Sequence, residues 1–165
     1  SSVIDVSLSI ESPEAVANIL QWLYADTFLN DDLDVAVQVL EASFALLCPR
    51  LTDYVVTFVL VPAVSYDLAF DMLELARTYD FRRLEDRCCE VLAENLDEFL
   101  HSPDLRYLIT QEASEILQTG DVQVADVPIA AEIRRALSKQ HIPQDRYNVL
   151  LKRLQELVDE TLGIR

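Results

Sequence analysis

Leu51-Thr52-Asp53-Tyr54-Val55-Val56-Thr57-Phe58-Val59-Leu60 is the stretch on which the fold class turns. Its β-branched and aromatic run favours a strand by propensity alone. It does not alternate apolar and polar residues, as a half-buried strand would. Pro49 precedes it where a proline suits the first turn of a helix, and Pro62 breaks the chain after it. The segments on both sides carry helical periodicity. The stretch therefore reads as a buried helix, and the chain as mainly α.

Working upstream, Asn30-Asp31-Asp32 caps a helix whose apolar stripe is Leu33, Val37, Leu40, Phe44 and Leu47, backed by Ala36 and Val39. Before it, Ser12-Pro13-Glu14 combines a capping hydroxyl, a first-turn proline and an acid at the positive end of the helix dipole. Val16, Ile19, Leu20, Leu23 and Tyr24 follow at i, i+3, i+4, i+7 and i+8, the spacing of one buried face. Val3 to Ile10 alternates at Ile4, Val6, Leu8 and Ile10, which predicts one short N-terminal strand. Its hydrogen-bonding partner must come from chain outside this sequence, from another molecule, or from Thr27-Phe28-Leu29.

Downstream, Ser65-Tyr66-Asp67 opens a predicted helix through Tyr79, and Asp80-Phe81 turns into a second over Arg83 to Asn95. Leu96 to Leu100 continues after a bend. Ser102-Pro103-Asp104 caps a short turn, and Thr110-Gln111-Glu112 caps a separate helix to Gln118, with Gly120 as terminator. Residues 119–128 form the best linker. Ile129 to Lys139 and Gln144 to Leu162 are the last helices, Gly163 ending the second. That final helix, with Tyr147, Leu150, Leu151, Leu154, Leu157, Val158 and Leu162 on one face, reads either as a docked terminal helix or as a coiled-coil face. Its shortness favours the first.

Composition narrows the function classes. Gly120 and Gly163 stand alone, so neither a phosphate-binding loop nor a dinucleotide fingerprint can be written. The net charge is −16, from 13 Lys+Arg against 29 Asp+Glu, and nucleic acid or anionic lipid would be repelled. The first basic residue is Arg50. The anionic front suits steering toward a basic protein, with plain solvation as the bland alternative. No uncharged apolar run reaches about 18 residues, so no membrane span is expected.

Cys48, Cys88 and Cys89 lack metal-ligand spacing, and the last two point about 100° apart on a helix, which predicts free thiols in a reducing compartment. His101 and His141 sit apart beside proline breaks. Asp31-Asp32-x-Asp34 lacks the glycine and closing glutamate of a calcium loop and reads as a helix start. No metal, cofactor or catalytic constellation is expected, and the chain reads as non-enzymatic. It opens at Ser1-Ser2 without an initiator Met or leader, which suggests a piece of a longer protein.

Ile10-Glu11-Ser12-Pro13-Glu14-Ala15-Val16 followed by Ile19-Leu20-Gln21-Trp22-Leu23-Tyr24-Ala25-Asp26 resembles the strand and helix in the second half of a BTB/POZ domain. Asp32 to Leu60 resembles its last two helices. Leu68 to Leu84 is similar to the helix pair of BACK-type extensions. The stretches Phe81 to Glu90, Val127 to Arg134 and Leu150 to Gly163 look like the C-terminal end of ankyrin-repeat and BTB/POZ domain-containing proteins.

The resemblance implies part of a BTB/POZ domain over 1–60, BACK-like helical pairs over 61–120 and a helical tail over 121–165. It implies that the ankyrin repeats and the first half of the BTB domain lie upstream. It also implies a substrate adaptor of a cullin-3 RING ubiquitin ligase, cytoplasmic or also nuclear. Such an adaptor would bind the cullin-3 N-terminal region and an unidentified substrate protein, with a homodimer through the absent BTB half. On this basis the cullin-facing candidates are Asp32, Phe44, Arg50 and Tyr66, from the exposed side of the helix opening at Asp31, the Cys48–Arg50 turn and the following helix pair. The competing expectation is that Phe44 and Tyr66 are ordinary core aromatics. A helical scaffold without ubiquitin chemistry is the alternative function, and a small hydrolase using Cys88, His101 or His141 the least favoured.

Overall fold

The computed structural model describes residues 12–28, 32–119 and 127–163. It is mainly α, and no strand occurs among the described residues. The expected Val3–Ile10 strand, the centre of the linker and Gly120 lie outside them. The chain divides into two units, Ser1–Ala63 and Val64–Arg165.

In the first unit, helix α1 runs Pro13–Ala25. Ser12 caps it as expected, its Oγ accepting from the Ala15 amide at 3.3 Å. Helix α2 spans Leu33–Ala45, capped by the Asp32 carboxylate, which accepts from the Asp34 and Val35 amides. Helix α3 begins at Pro49 and ends at Tyr54. The ambiguous stretch is helical, but over Val55–Leu60 it widens into a π-helix before the short turn α4, Val61–Ala63. Pro62 gives the physical reason. In a regular α-helix its ring would press on the carbonyl four residues back, at Phe58. The wider turn moves that carbonyl away, and the Val61 amide bonds to Val56 O instead.

The inward faces differ from the expected stripes. Helix α1 buries Ala15, Asn18, Ile19 and Trp22, while Val16, Leu20, Leu23 and Tyr24 stay exposed. Trp22 decides the rotation: its ring lies 4.8 Å from that of Tyr54, which contacts Phe58 at 4.9 Å. A tryptophan seated on a tyrosine gains more than the smaller aliphatic edge can offer. Helix α2 turns Val35, Ala36, Val39, Leu40, Ala42 and Ser43 inward, leaving Phe44 and Leu47 at the surface. Ser43 is buried because its Oγ bonds to Leu40 O and lies 2.6 Å from Thr52 Oγ1 on α3.

In the second unit the helices are α5 Ala69–Thr78, α6 Arg82–Glu94, α7 Leu96–Phe99, α8 Pro103–Thr119, α9 Pro128–Ser138 and α10 Gln144–Leu162. Helix α6 packs between α5 and α9, and α10 packs on α8 and α9. The core is Leu73, Leu84, Leu92, Leu105, Ile109, Ile129, Ile133 and Leu137, all essentially inaccessible. Each contributes about 1.5–3 kcal/mol of burial.

Two boundaries are corrected. Helix α5 does not open at Ser65: residues 66–68 form a turn closed by the Leu68 amide on Ser65 O, and the helix starts at Ala69. The expected break at Thr110 is absent, and α8 is one helix. Thr110 does not cap; its hydroxyl donates to Arg106 O within the same helix. Helix α10 buries Leu150, Leu154, Leu157 and Val158, so the docked alternative describes it, and Gly163 closes it at φ +71.

Candidate functional site

The four residues expected to face a partner fall in both units. Asp32 is the cap of α2, and Phe44 lies on the same helix about 18 Å away along its axis, at 1.5 Å per residue. Phe44 is 40% exposed. Arg50 sits in the first turn of α3 and pairs with Asp26 at 3.6 Å. Both side chains are mostly in water, so that pair is worth about 0–1 kcal/mol. In the second unit, Tyr66 is 42% exposed and stacks on Phe99, ring centroids 4.5 Å apart at 20°. Neither aromatic is fully buried.

Phe44 and Arg50 flank a feature that the sequence reading missed. The turn between α2 and α3 brings the Cys48 amide to Ser43 O at 2.9 Å and the Leu47 amide to Phe44 O at 3.0 Å. This is the Schellman closure, whose pivot is ordinarily glycine. Here the pivot is Leu47, at φ +51 and 87% exposed. A leucine there is unfavourable twice over, through its left-handed backbone and its bare side chain. Leu47 also lines a shallow apolar pocket of about 350 Å³ with Leu23, Leu46, Cys48, Pro49 and Arg50. Leu23 joins that pocket to the outer face of α1, where Val16, Leu20 and Tyr24 are exposed.

The first unit thus presents an apolar strip along α1, ending in a pocket with Arg50 and Asp26 beside it. Patches of this kind mark interaction sites more often than they occur by chance on a monomer. The missed signal was that α1 and α2 are apolar around too wide an arc for a single inward face.

Strain at an exposed leucine implies a test. Leu47→Gly is expected to stabilise the first unit by about 0.5 kcal/mol, read as a higher urea midpoint, because removing the left-handed penalty exceeds the entropy that glycine adds to the unfolded chain. A lower midpoint would show that the side chain supports the fold.

The second unit holds a polar centre of a different kind. The Arg77 guanidinium on α5 binds Glu112 on α8 through Nη1, Glu132 on α9 through Nη2 at 3.0 Å, and Glu85 on α6 through Nε at 3.7 Å. The second Glu112 oxygen accepts from the Ile129 amide at 2.8 Å, capping α9 from a neighbouring helix. Burial pushes the Glu85 carboxyl up to about 7, helped by its hydrogen bond to Glu132 and the charge there. Burial also opposes ionisation of Glu132, but the Glu85 hydrogen bond and Arg77 hold it below the usual carboxylate range. The Cys88 thiol is pushed up to about 12 and that of Cys89 still further, both mainly by burial. Such thiols stay protonated near neutral pH and are poor nucleophiles. This centre joins four helices through one guanidinium set among three carboxyl groups, the arrangement of a structural lock.

His101 and His141 are exposed, and His101 Nε2 lies 3.1 Å from Arg153. No group of three or more His, Cys, Asp or Glu able to hold a metal occurs among the described residues. No described helix is long and apolar enough to cross a membrane. No family model matches the chain, and no curated protein or solved structure matches it either.

Proposed function

We propose that the chain is a protein-docking module without catalysis, the C-terminal part of a BTB/POZ protein with BACK-like helical pairs, acting as a substrate adaptor of a cullin-3 RING ubiquitin ligase. The observation that carries the docking part is the exposed apolar surface of the first unit, from Val16 and Leu20 through Leu23 to Leu47. The cullin assignment is supported by the ordered resemblance of roughly residues 3–118, and by Phe44 and Tyr66 being partly exposed. On this reading Phe44 and Arg50 meet the cullin-3 N-terminal region beside the Leu47 turn, and Tyr66 contributes from the second unit. The acidic charge before Arg50 speeds encounter with a basic patch on that partner.

Titration of the full chain with a cullin-3 N-terminal fragment tests this. Phe44→Ala and Tyr66→Ala are each expected to weaken binding about fivefold, near 1 kcal/mol, as partly exposed anchors do. Tyr66→Phe keeps the stack on Phe99 and separates lost contact from lost packing. No saturable binding, or binding unaffected by both alanine variants, overturns the assignment.

A further inference from the structure

Between α5 and α8, bridged by Arg77 and Glu112, lies a cleft of about 710 Å³, within the range of roughly 300–1,000 Å³ typical of ligand sites. Its walls are of two kinds. Phe70, Leu108 and Tyr107 give apolar surface, and Tyr107 is 67% exposed. Asp71 and Glu74 on α5 and Asp104 and Glu115 on α8 place exposed carboxylates on both sides. None of these four has an ion-pair partner among the described residues. Arg77, the one cation among the described residues that line the cleft, is already engaged by Glu85, Glu112 and Glu132.

We infer that this cleft is a docking site for a basic peptide segment that inserts an apolar side chain against Tyr107 and Phe70 while its arginines or lysines meet the carboxylates of α5 and α8. Charge complementarity selects the partner. Nucleic acid and acidic peptides are repelled by walls whose described residues offer exposed carboxylates and no free cation. A single metal ion is a poor occupant, because no group of three or more His, Cys, Asp or Glu among the described residues could hold one. Negative charge spaced along two helices instead matches cations spaced along a chain, and the exposed tyrosine offers contact area and cation–π attraction at small entropic cost. The inference does not rest on the cullin reading, whose candidate residues lie elsewhere.

The net charge of −16 would attract any polycation weakly, so the test must separate the cleft from the whole surface. A fluorescent peptide alternating arginine and leucine is titrated into the full chain, with an all-lysine peptide of equal charge for comparison. Glu74→Lys/Glu115→Lys is expected to weaken the arginine–leucine peptide at least about tenfold, and Tyr107→Ala about threefold. Glu41→Lys/Asp53→Lys changes the net charge equally at exposed sites of the first unit, and is expected to cost less than about twofold. Helical circular dichroism confirms that each variant is folded. Equal weakening by both charge-reversed pairs, equal affinity for the two peptides, or no saturable binding overturns the proposal.

Discussion

Replacing Arg77 with methionine is expected to destabilise the second unit by about 3 kcal/mol, the low end of what removing one partner of a buried ion pair costs, since Arg77 keeps some solvent contact. The cost does not come from lost attraction alone. Three glutamates from three helices converge on this guanidinium, and the methionine leaves them facing one another with no cation. Glu112 suffers most. It is 9% exposed and must still present an oxygen to the Ile129 amide, so it can neither leave nor hydrate easily. For a unit of this size the melting temperature should fall by roughly 10–20 °C. Arg77→Lys keeps the charge but not the fork that reaches two carboxylates at once, and should fall between. The loss should shrink in mild acid, where the stranded carboxylates take up protons. A loss below about 1 kcal/mol, or one indifferent to pH, would show that the three glutamates are solvated enough to manage alone.

That centre also shows where sequence reading stops. Helix existence was legible over most of the described residues, the first turns of α8 excepted, because caps and periodicity are local: Ser12, Asp32 and Gly163 do at their helix ends what their residue types predict. Which face turns inward was legible in α10 but not in α1 or α2, where large apolar residues cover more than half the circumference. There a single tertiary contact, Trp22 on Tyr54, chooses the rotation. Glu112 was misplaced for the opposite reason. Thr110-Gln111-Glu112 has the form of a helix start, but Leu105, Ile109 and Ala113 bury on one continuous stripe and carry α8 through it. The carboxylate then serves another helix, a role that no local pattern encodes. The candidate docking surface was half visible. Phe44 and Arg50 followed from the resemblance, whereas Leu47 was read as core because nothing in the sequence announces a left-handed leucine.

The second unit should be more stable near pH 5 than near pH 8, and Glu85 should account for most of the difference. Its carboxyl is raised from 4.5 to about 7, so folding tightens its hold on a proton. That contribution is complete below the unfolded value and is lost as pH rises through about 7. Glu132 is displaced the other way and contributes above the ordinary value. Between about pH 5 and 8 it is ionised folded and unfolded alike, and adds no slope. The groups facing Glu85 are Arg77 on α5, Cys89 on its own helix and Glu132 on α9, with Asp86 as its acidic neighbour. Of these, Arg77 alone favours ionisation of Glu85. The full displacement corresponds to about 3 kcal/mol, and partial exposure of the side chain reduces it to about 2 kcal/mol. Glu85→Gln isolates the effect. The amide donates to Glu132 as the protonated acid does, but cannot ionise. Wild type and variant should match near pH 5 and separate as pH rises, the variant becoming the more stable by about 2 kcal/mol near pH 8. Repulsion from the overall negative charge tilts both profiles almost equally and cancels in the difference. Parallel urea-midpoint profiles across that range would mean that Glu85 is ionised throughout, and that Arg77 faces three full negative charges rather than two and a shared proton.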